Sequence, residues 1–210
     1  MAVYPVTHER AIVGWDIGGV NIKAVRGSFG NSAPQIQTLI EPFEIQHNLG
    51  NLASQLGALA RRLGCRSEES HAVTMTAELS QAFRTKREGV AAVIAALEAA
   101  FPTGQLHVYT VEGDFVSAGV ARDRPLSVAA SNWAATARWV GTRFPRSMLI
   151  DVGSTTTDII PIIDGQVAAT GRTDPARIGP EAVDRRDAAS RPRNGEPRDD
   201  RTVAPRARAA

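Results

Sequence analysis

Asp16 and Asp151 each end an apolar run, and each is followed by a turn of small residues. The first stretch, Gly14 to Asn21, reads GWDIGGVN, and the second, Leu149 to Asp158, reads LIDVGSTTTD. Glycine lets a backbone approach an anion closely and turn with positive φ, amides and hydroxyls can surround phosphate oxygens, and the preceding carboxylate can hold a divalent cation. Two such loops facing each other form a phosphate clamp. Asp16 is expected to hold Mg2+ or a bound water against phosphate; the alternative is an aspartate that satisfies turn amides. Gly18, Gly19 and Asn21 supply donors, and Lys23 either reaches the same charge or is a surface lysine. Asp151 is the counterpart, with Gly153, Ser154, Thr155 and Thr156 as its donor loop. Asp158 orients a threonine hydroxyl or shares the cation, unless it is a plain surface residue of its strand.

The elements that must position these residues are legible from hydrophobic periodicity. Residues 11–17, 21–27 and 35–41 read as a three-strand meander. Leu49, Leu52, Ala53, Leu56, Leu59, Ala60 and Leu63 fall at helical spacing, with Asn48 as N-cap and Gly64 as stop. A strand over 71–76, a helix from Val90 to Phe101, a strand over 106–111 and a helix over 128–144 follow. Thr76 and Glu78 then lie at the ligand-facing end of a strand, and Asn132 and Trp133 begin the third helix. Three strands, helix, strand, helix, strand, helix is the ribonuclease-H-like order of an α/β fold. The pattern restarts at Met148 with strands over 148–152, 156–163 and 166–171 and an Asp164-Gly165 hairpin turn, which exposes an internal duplication.

The domains expected are therefore a first, complete one over 1–147, the first three strands of a second over 148–174, and a tail over 175–210. That tail is rich in Arg, Asp, Pro and Ala and holds only Ile178, Val183 and Val203 as larger aliphatics. It cannot bury enough apolar surface to offset chain entropy and is expected to be disordered. Acids interspersed among its arginines argue against a nucleic-acid arm. The 210 residues carry a formal charge of +2 and a single cysteine, which excludes an internal disulfide framework and fits a cytoplasmic protein. No signal peptide or membrane-spanning run is read. The four histidines show no metal spacing, no Gly-x-Ser-x-Gly elbow is present, and His71 and His107 are expected at strand edges.

The two loops at the heads of duplicated meanders resemble the superfamily of sugar kinases, acetate kinase, actin and the chaperone ATPases. A narrower resemblance rests on residues 12–24 (IVGWDIGGVNIKA), 75–79 (MTAEL), 129–133 (AASNW), 150–161 (IDVGSTTTDIIP) and 170–175 (TGRTDP). These are similar to the hydantoinase/oxoprolinase-related proteins of the tetrahydromethanopterin-linked one-carbon pathway. The resemblance implies a methanofuran-biosynthesis transferase that joins an aminomethylfuran-methyl diphosphate to a tyramine derivative and releases diphosphate. The two loops would bind that diphosphate with Mg2+. Glu78 would accept the phenolic proton, or else start a helix as a dipole-compensating acid, and Asn132 would contact substrate. Small-molecule substrates are the partners expected, with neither nucleic acid nor membrane. The resemblance stops near Arg177, so the C-terminus is read as truncated or out of frame and the chain as inactive. The alternatives are an ATP-dependent small-molecule kinase or hydantoinase/oxoprolinase-like hydrolase, with ATP as cofactor, and a non-enzymatic fragment.

Overall fold

The computed structural model describes residues 10–30, 33–152 and 157–168. Gly153, Ser154, Thr155 and Thr156, the end of the last expected strand and the tail over 175–210 lie outside the described residues.

Strands β1 (Arg10–Ile17), β2 (Asn21–Phe29) and β3 (Gln35–Pro42) form the expected meander. Helix α1 (Ile45–Asn48), a single 3-10 turn and helix α2 (Leu52–Arg62) follow. One long helix capped by Asn48 was the expectation; instead the Asn48 side chain donates its amide back to the Glu44 carbonyl. Strand β4 (Ser70–Met75), a 3-10 turn at Ala77–Leu79 and helix α3 (Lys86–Ala100) come next. Thr85 caps α3 by accepting from Glu88 N, and the Glu88 carboxylate accepts from Arg84 N, so the helix starts four residues before its first buried valine. Strands β5 (Gln105–Tyr109) and β6 (Phe115–Ser117) follow. Strand β6 was not expected from sequence, because three residues are too few to show a period.

Two short helices not expected from sequence, α4 (Ala118–Asp123) and α5 (Pro125–Val128), precede α6 (Asn132–Arg143), which is the helix expected over 128–144 but begins four residues later. The chain breaks at Ala129–Ser131, where Ala130 takes a φ of 52°. Strands β7 (Ser147–Val152), β8 (Thr157–Ile163) and β9 (Gln166–Val167) complete the described chain. The hairpin turn is at Asp164-Gly165 as expected, both at positive φ.

The first sheet has the order β3-β2-β1-β4-β5-β6. Strand β2 is antiparallel to β1 and β3, strands β1, β4 and β5 run parallel, and β6 turns back on β5. Apart from β6, this is the ribonuclease-H-like order, the α/β fold of the actin and sugar-kinase type. Period-two alternation puts Val13, Trp15, Ile17, Ile22, Val73, Met75 and Val108 on one face, where they pack under Leu52, Leu56 and Leu59 of α2 and Val90, Val93, Ile94 and Leu97 of α3. The second sheet, β7-β8-β9, is antiparallel and packs Ile160 against Trp133, Ala134 and Ala137 of α6 and Tyr109 of β5. Its other face leaves Met148, Ile150, Val152, Ile159 and Ile163 exposed.

His71 is a core residue and not at a strand edge. It is 1% exposed, stacks on Phe101 at 4.0 Å, and its Nδ1 accepts from Trp15 Nε1 at 3.0 Å. Burial lowers its pKa from 6.5 to about 4. The neutral ring belongs to the fold, so its contribution is complete above pH 6.5 and is lost as pH falls from 6.5 toward 4, where the unfolded chain binds the extra proton. That loss is on the order of 3 kcal/mol. Urea unfolding at pH 7 and pH 5 is expected to show the midpoint falling at the lower pH, and His71→Gln, which retains an acceptor for Trp15, is expected to flatten the difference. An equal pH slope in the variant would disprove the assignment.

Candidate functional site

The face of the first sheet opposite α2 and α3 carries a row of side chains that runs across five strands. Asp16 on β1 pairs in register with Lys23 on β2 and with Thr74 on β4. One step beyond Val73↔Val108 brings Tyr109 of β5 beside Thr74, and Tyr109 pairs with Phe115 of β6. The row is polar at one end and aromatic at the other. It floors a cleft of about 580 Å³, whose opposite wall is α6, with Arg138, Trp139 and Thr142.

At the polar end, Lys23 Nζ donates to Asp16 Oδ2 at 3.0 Å. Thr74 Oγ1 lies 3.3 Å from both Asp16 Oδ1 and the Trp15 carbonyl, and its single hydrogen serves one of them at a time. The Asp16 carboxylate is 27% exposed and the lysine 56%. Lys23 is therefore tied to Asp16 at the ligand-facing end of the sheet. At the aromatic end, Phe115 meets Tyr109 edge to face at 5.0 Å. Burial pushes the Tyr109 hydroxyl up, with the Arg138 guanidinium pulling it the other way.

The Gly18 to Asn21 turn is held rigidly. Gly18 N donates to Asn21 O at 2.9 Å, Ile45 N donates to Gly19 O at 3.0 Å, and Phe43 N donates to Val20 O at 2.9 Å. Across trans peptides, the N–H groups of Val20 and Asn21 are opposed to those carbonyls and so point away from the β3–α1 connection. The expectation of positive φ at the glycines is corrected: neither Gly18 nor Gly19 adopts it. Gly18 is favoured by a tight approach instead, since a Cβ there would sit 3.0 Å from Asn21 O.

Glu78 is 2% exposed, and its Oε1 accepts from Ala130 N at 2.7 Å. It holds the turn that breaks the chain before α6, and it is not among the residues that line the cleft. Asn132 opens α6, its side-chain oxygen accepting from Trp133 N at 2.8 Å. Trp133 is core, as expected. Ser131 is fully buried beside them, a residue to which sequence reasoning gave no role.

The second hairpin repeats the first in register. Ile17↔Ile22 closes β1–β2 around residues 18–21, and Val152↔Thr157 closes β7–β8 around residues 153–156, four residues in each loop. One step back, Asp16 faces Lys23, whereas Asp151 faces Asp158. The first carboxylate is neutralised by a fixed ammonium. The second pair sets two carboxylates directly opposite one another in register. Among the described residues, no three acidic, histidine or cysteine side chains cluster to hold a metal. Magnesium is typically bound through one or two carboxylates with water and substrate phosphate completing its shell, and Asp151 with Asp158 fits that requirement better than Asp16 does. No helix among the described residues is long and apolar enough to cross a membrane.

The chain is 36% identical over 173 residues to a Methanocaldococcus jannaschii protein, the (4-{4-[2-(gamma-L-glutamylamino)ethyl]phenoxymethyl}furan-2-yl)methanamine synthase, covering 80% of this chain and 48% of that one. The chain thus spans about half the length of this curated relative. Solved structures similar to it include an exopolyphosphatase from Cytophaga hutchinsonii, at 12% identity and a TM-score of 0.43, covering 76% of this chain and 48% of that one. A polyphosphate/ATP-glucomannokinase from an Arthrobacter species matches at 16% identity and a TM-score of 0.42, covering 78% and 62%. The hydantoinase/oxoprolinase family model matches residues 69–183, from the last residue before β4 through α6 and the second hairpin. Since that match takes in more than half of the sequence, the chain belongs to the hydantoinase/oxoprolinase family.

Proposed function

We propose that this chain supplies the substrate cleft of a transferase of methanofuran-type cofactor biosynthesis, which condenses an aminomethylfuran-methyl diphosphate with a tyramine-type phenol and releases diphosphate. The observation that carries the reading is the row of Lys23, Asp16, Thr74, Tyr109 and Phe115, charged at one end and aromatic at the other, in a chain similar to a synthase whose named product joins a phenol to a furan. The furan ring donates electrons to its exocyclic carbon, so the C–O bond to diphosphate ionises readily. The main demand on the protein is then to stabilise charge on the departing oxygens. Lys23 provides a fixed positive charge, and the N–H groups of Val20 and Asn21 are directed donors; one such preorganised donor typically contributes about 3 to 4 kcal/mol. When bound, a divalent cation at Asp151 and Asp158 would add charge neutralisation.

The phenol oxygen attacks the carbon that loses diphosphate, and its proton passes to a carboxylate. Asp16 suits that role better than Glu78, because Asp16 lines the cleft whereas Glu78 is engaged with the Ala130 amide. Holding phenol and carbon together in one cleft supplies much of the remaining acceleration.

Calorimetric titration of the full chain with the furfuryl-type diphosphate, with inorganic diphosphate and with ATP, each with Mg2+, tests this reading. Binding of both diphosphates, abolished by Lys23→Met, is expected. Binding of ATP alone would overturn it in favour of a kinase or an ATP-dependent hydrolase.

A further inference from the structure

The outer face of the second sheet, on the side away from α6, is apolar and bare. Met148, Ile150 and Val152 of β7 and Ile159 and Ile163 of β8 are each more than half exposed there. The repeat of the hairpins identifies what kind of face this is. With Asp16 matched to Asp151 and Lys23 to Asp158, the register puts Met148, Ile150 and Val152 at the positions of Val13, Trp15 and Ile17. Ile159 and Ile163 take the positions of Ala24 and Ser28. All five of those first-hairpin residues are buried, and the contrast is large: Ile150 is 57% exposed where Trp15 is 3%.

In the first hairpin the cover is the α2–α3 layer, with Leu52, Leu56, Leu59, Val90, Val93 and Leu97 in the same core as Val13, Trp15 and Ile17. That layer is drawn from residues 45–101. Residues 169–210 are a shorter stretch, and their larger aliphatics are Ile178, Val183 and Val203 alone, with no leucine, methionine or aromatic residue. They carry no apolar stripe at helical spacing with which to repeat the layer. Helix α6 is committed to the inner face, where Trp133, Ala134 and Ala137 pack on Ile160. A Cβ on Gly141 would stand 2.5 Å from Gly165 O, so backbone lies against backbone there and α6 is closely seated on that side.

We propose that the outer face of β7 and β8 is a docking surface for a separate polypeptide that presents two amphipathic helices, the counterparts of α2 and α3, with their aliphatic stripes laid over Ile150 and Ile159. A sheet face of this composition is buried by a further layer, and a contiguous bare one marks an interaction site. Polypeptide of the required size exists in the relative, since this chain covers 48% of the Methanocaldococcus jannaschii synthase and about half of that protein lies outside the match. Strand alternation puts Asp151 and Asp158 on the opposite face from Ile150 and Ile159, so docking leaves both acids uncovered. The surface is distinct from the cleft, and the inference holds whatever ligand the cleft takes.

The test is analytical ultracentrifugation of the full chain with the half of that synthase outside the match, produced as a separate chain, beside the two halves of the synthase itself as a reference pair. An equimolar complex is expected in both cases. The double variant Ile150→Lys, Ile159→Lys is expected to weaken the complex about a hundredfold or more, because docking would bury two unpaired ammonium groups. The same variant is expected to leave the urea unfolding midpoint of the chain alone unchanged, since both positions are open to solvent in it. Failure of either pairing, or a complex indifferent to the two lysines, overturns the inference. A lowered midpoint in the variant alone also overturns it, by showing the face already covered from within the chain. A dimer of the chain alone that the lysines dissolve overturns it in favour of a second copy as occupant.

Discussion

Asp16→Asn is expected to lower the rate of diphosphate release by about a hundredfold or more, with little change in unfolding midpoint. The substitution preserves shape and leaves one oxygen as a hydrogen-bond acceptor, so Lys23 and Thr74 keep a partner. What it removes is negative charge. An amide cannot take up the phenolic proton, and positioned acid–base groups typically contribute about 10²- to 10⁴-fold. The stability cost is small because the Lys23–Asp16 pair is largely open to solvent, where such pairs contribute about 1 kcal/mol at most. Diphosphate release followed with a coupled phosphate assay, beside a urea titration of the same preparation, separates the two effects. A rate within threefold of the parent would remove Asp16 from the chemistry.

Glu78→Ala is expected to destabilise the fold by about 2 to 4 kcal/mol, the largest effect on stability at any of the candidate residues. Three losses combine there. Ala130 N loses its acceptor inside the protein, a 2%-exposed side chain is emptied, and Ala130 keeps a backbone conformation that an L-residue adopts at a cost. Gly89 leaves no slack for rearrangement, because a Cβ on it would already sit 2.6 Å from Glu78 Cα. Glu78→Gln retains a carbonyl for the Ala130 amide and should recover most of the loss. The same pair of variants decides the role of the carboxylate: if the glutamine form is stable yet inactive, Glu78 is the proton acceptor and Asp16 is not. If the alanine form unfolds within 1 kcal/mol of the parent, the clamp on Ala130 is not what positions α6.

These two residues also show how far reading along the chain could go. Asp16 stood out because its strand, turn and return strand are contiguous, and a four-residue loop fixes which residue lies opposite which. The repeat of that hairpin at Asp151 was legible for the same reason, down to the Asp164-Gly165 turn that follows it. Glu78 was misleading. From sequence it is an acid at the end of a short strand, and its partner is an amide 52 residues further on. That amide belongs to a turn hidden within an apparently continuous helical pattern, because alanines, a tryptophan and a valine keep a helical period on either side of Ala130.

The aromatic end of the cleft was invisible for a related reason. Phe115 sits in a three-residue strand, and Arg138 looks like any charged residue on a helix face until the β5–β6 turn is placed beneath it.

By itself the sequence determined the duplicated aspartate hairpins, the ribonuclease-H-like order of strands and helices and the family, since each of these is written in spacings of a few residues that backbone geometry converts directly into strands, turns and faces. Only the tertiary structure decided that Lys23 neutralises Asp16 while Asp151 faces another carboxylate, that Glu78 is a buried clamp, and that the cleft runs from a charged end to an aromatic one. Those outcomes depend on contacts across parallel strands and between a sheet and a distant helix, whose register is set by packing of the whole core.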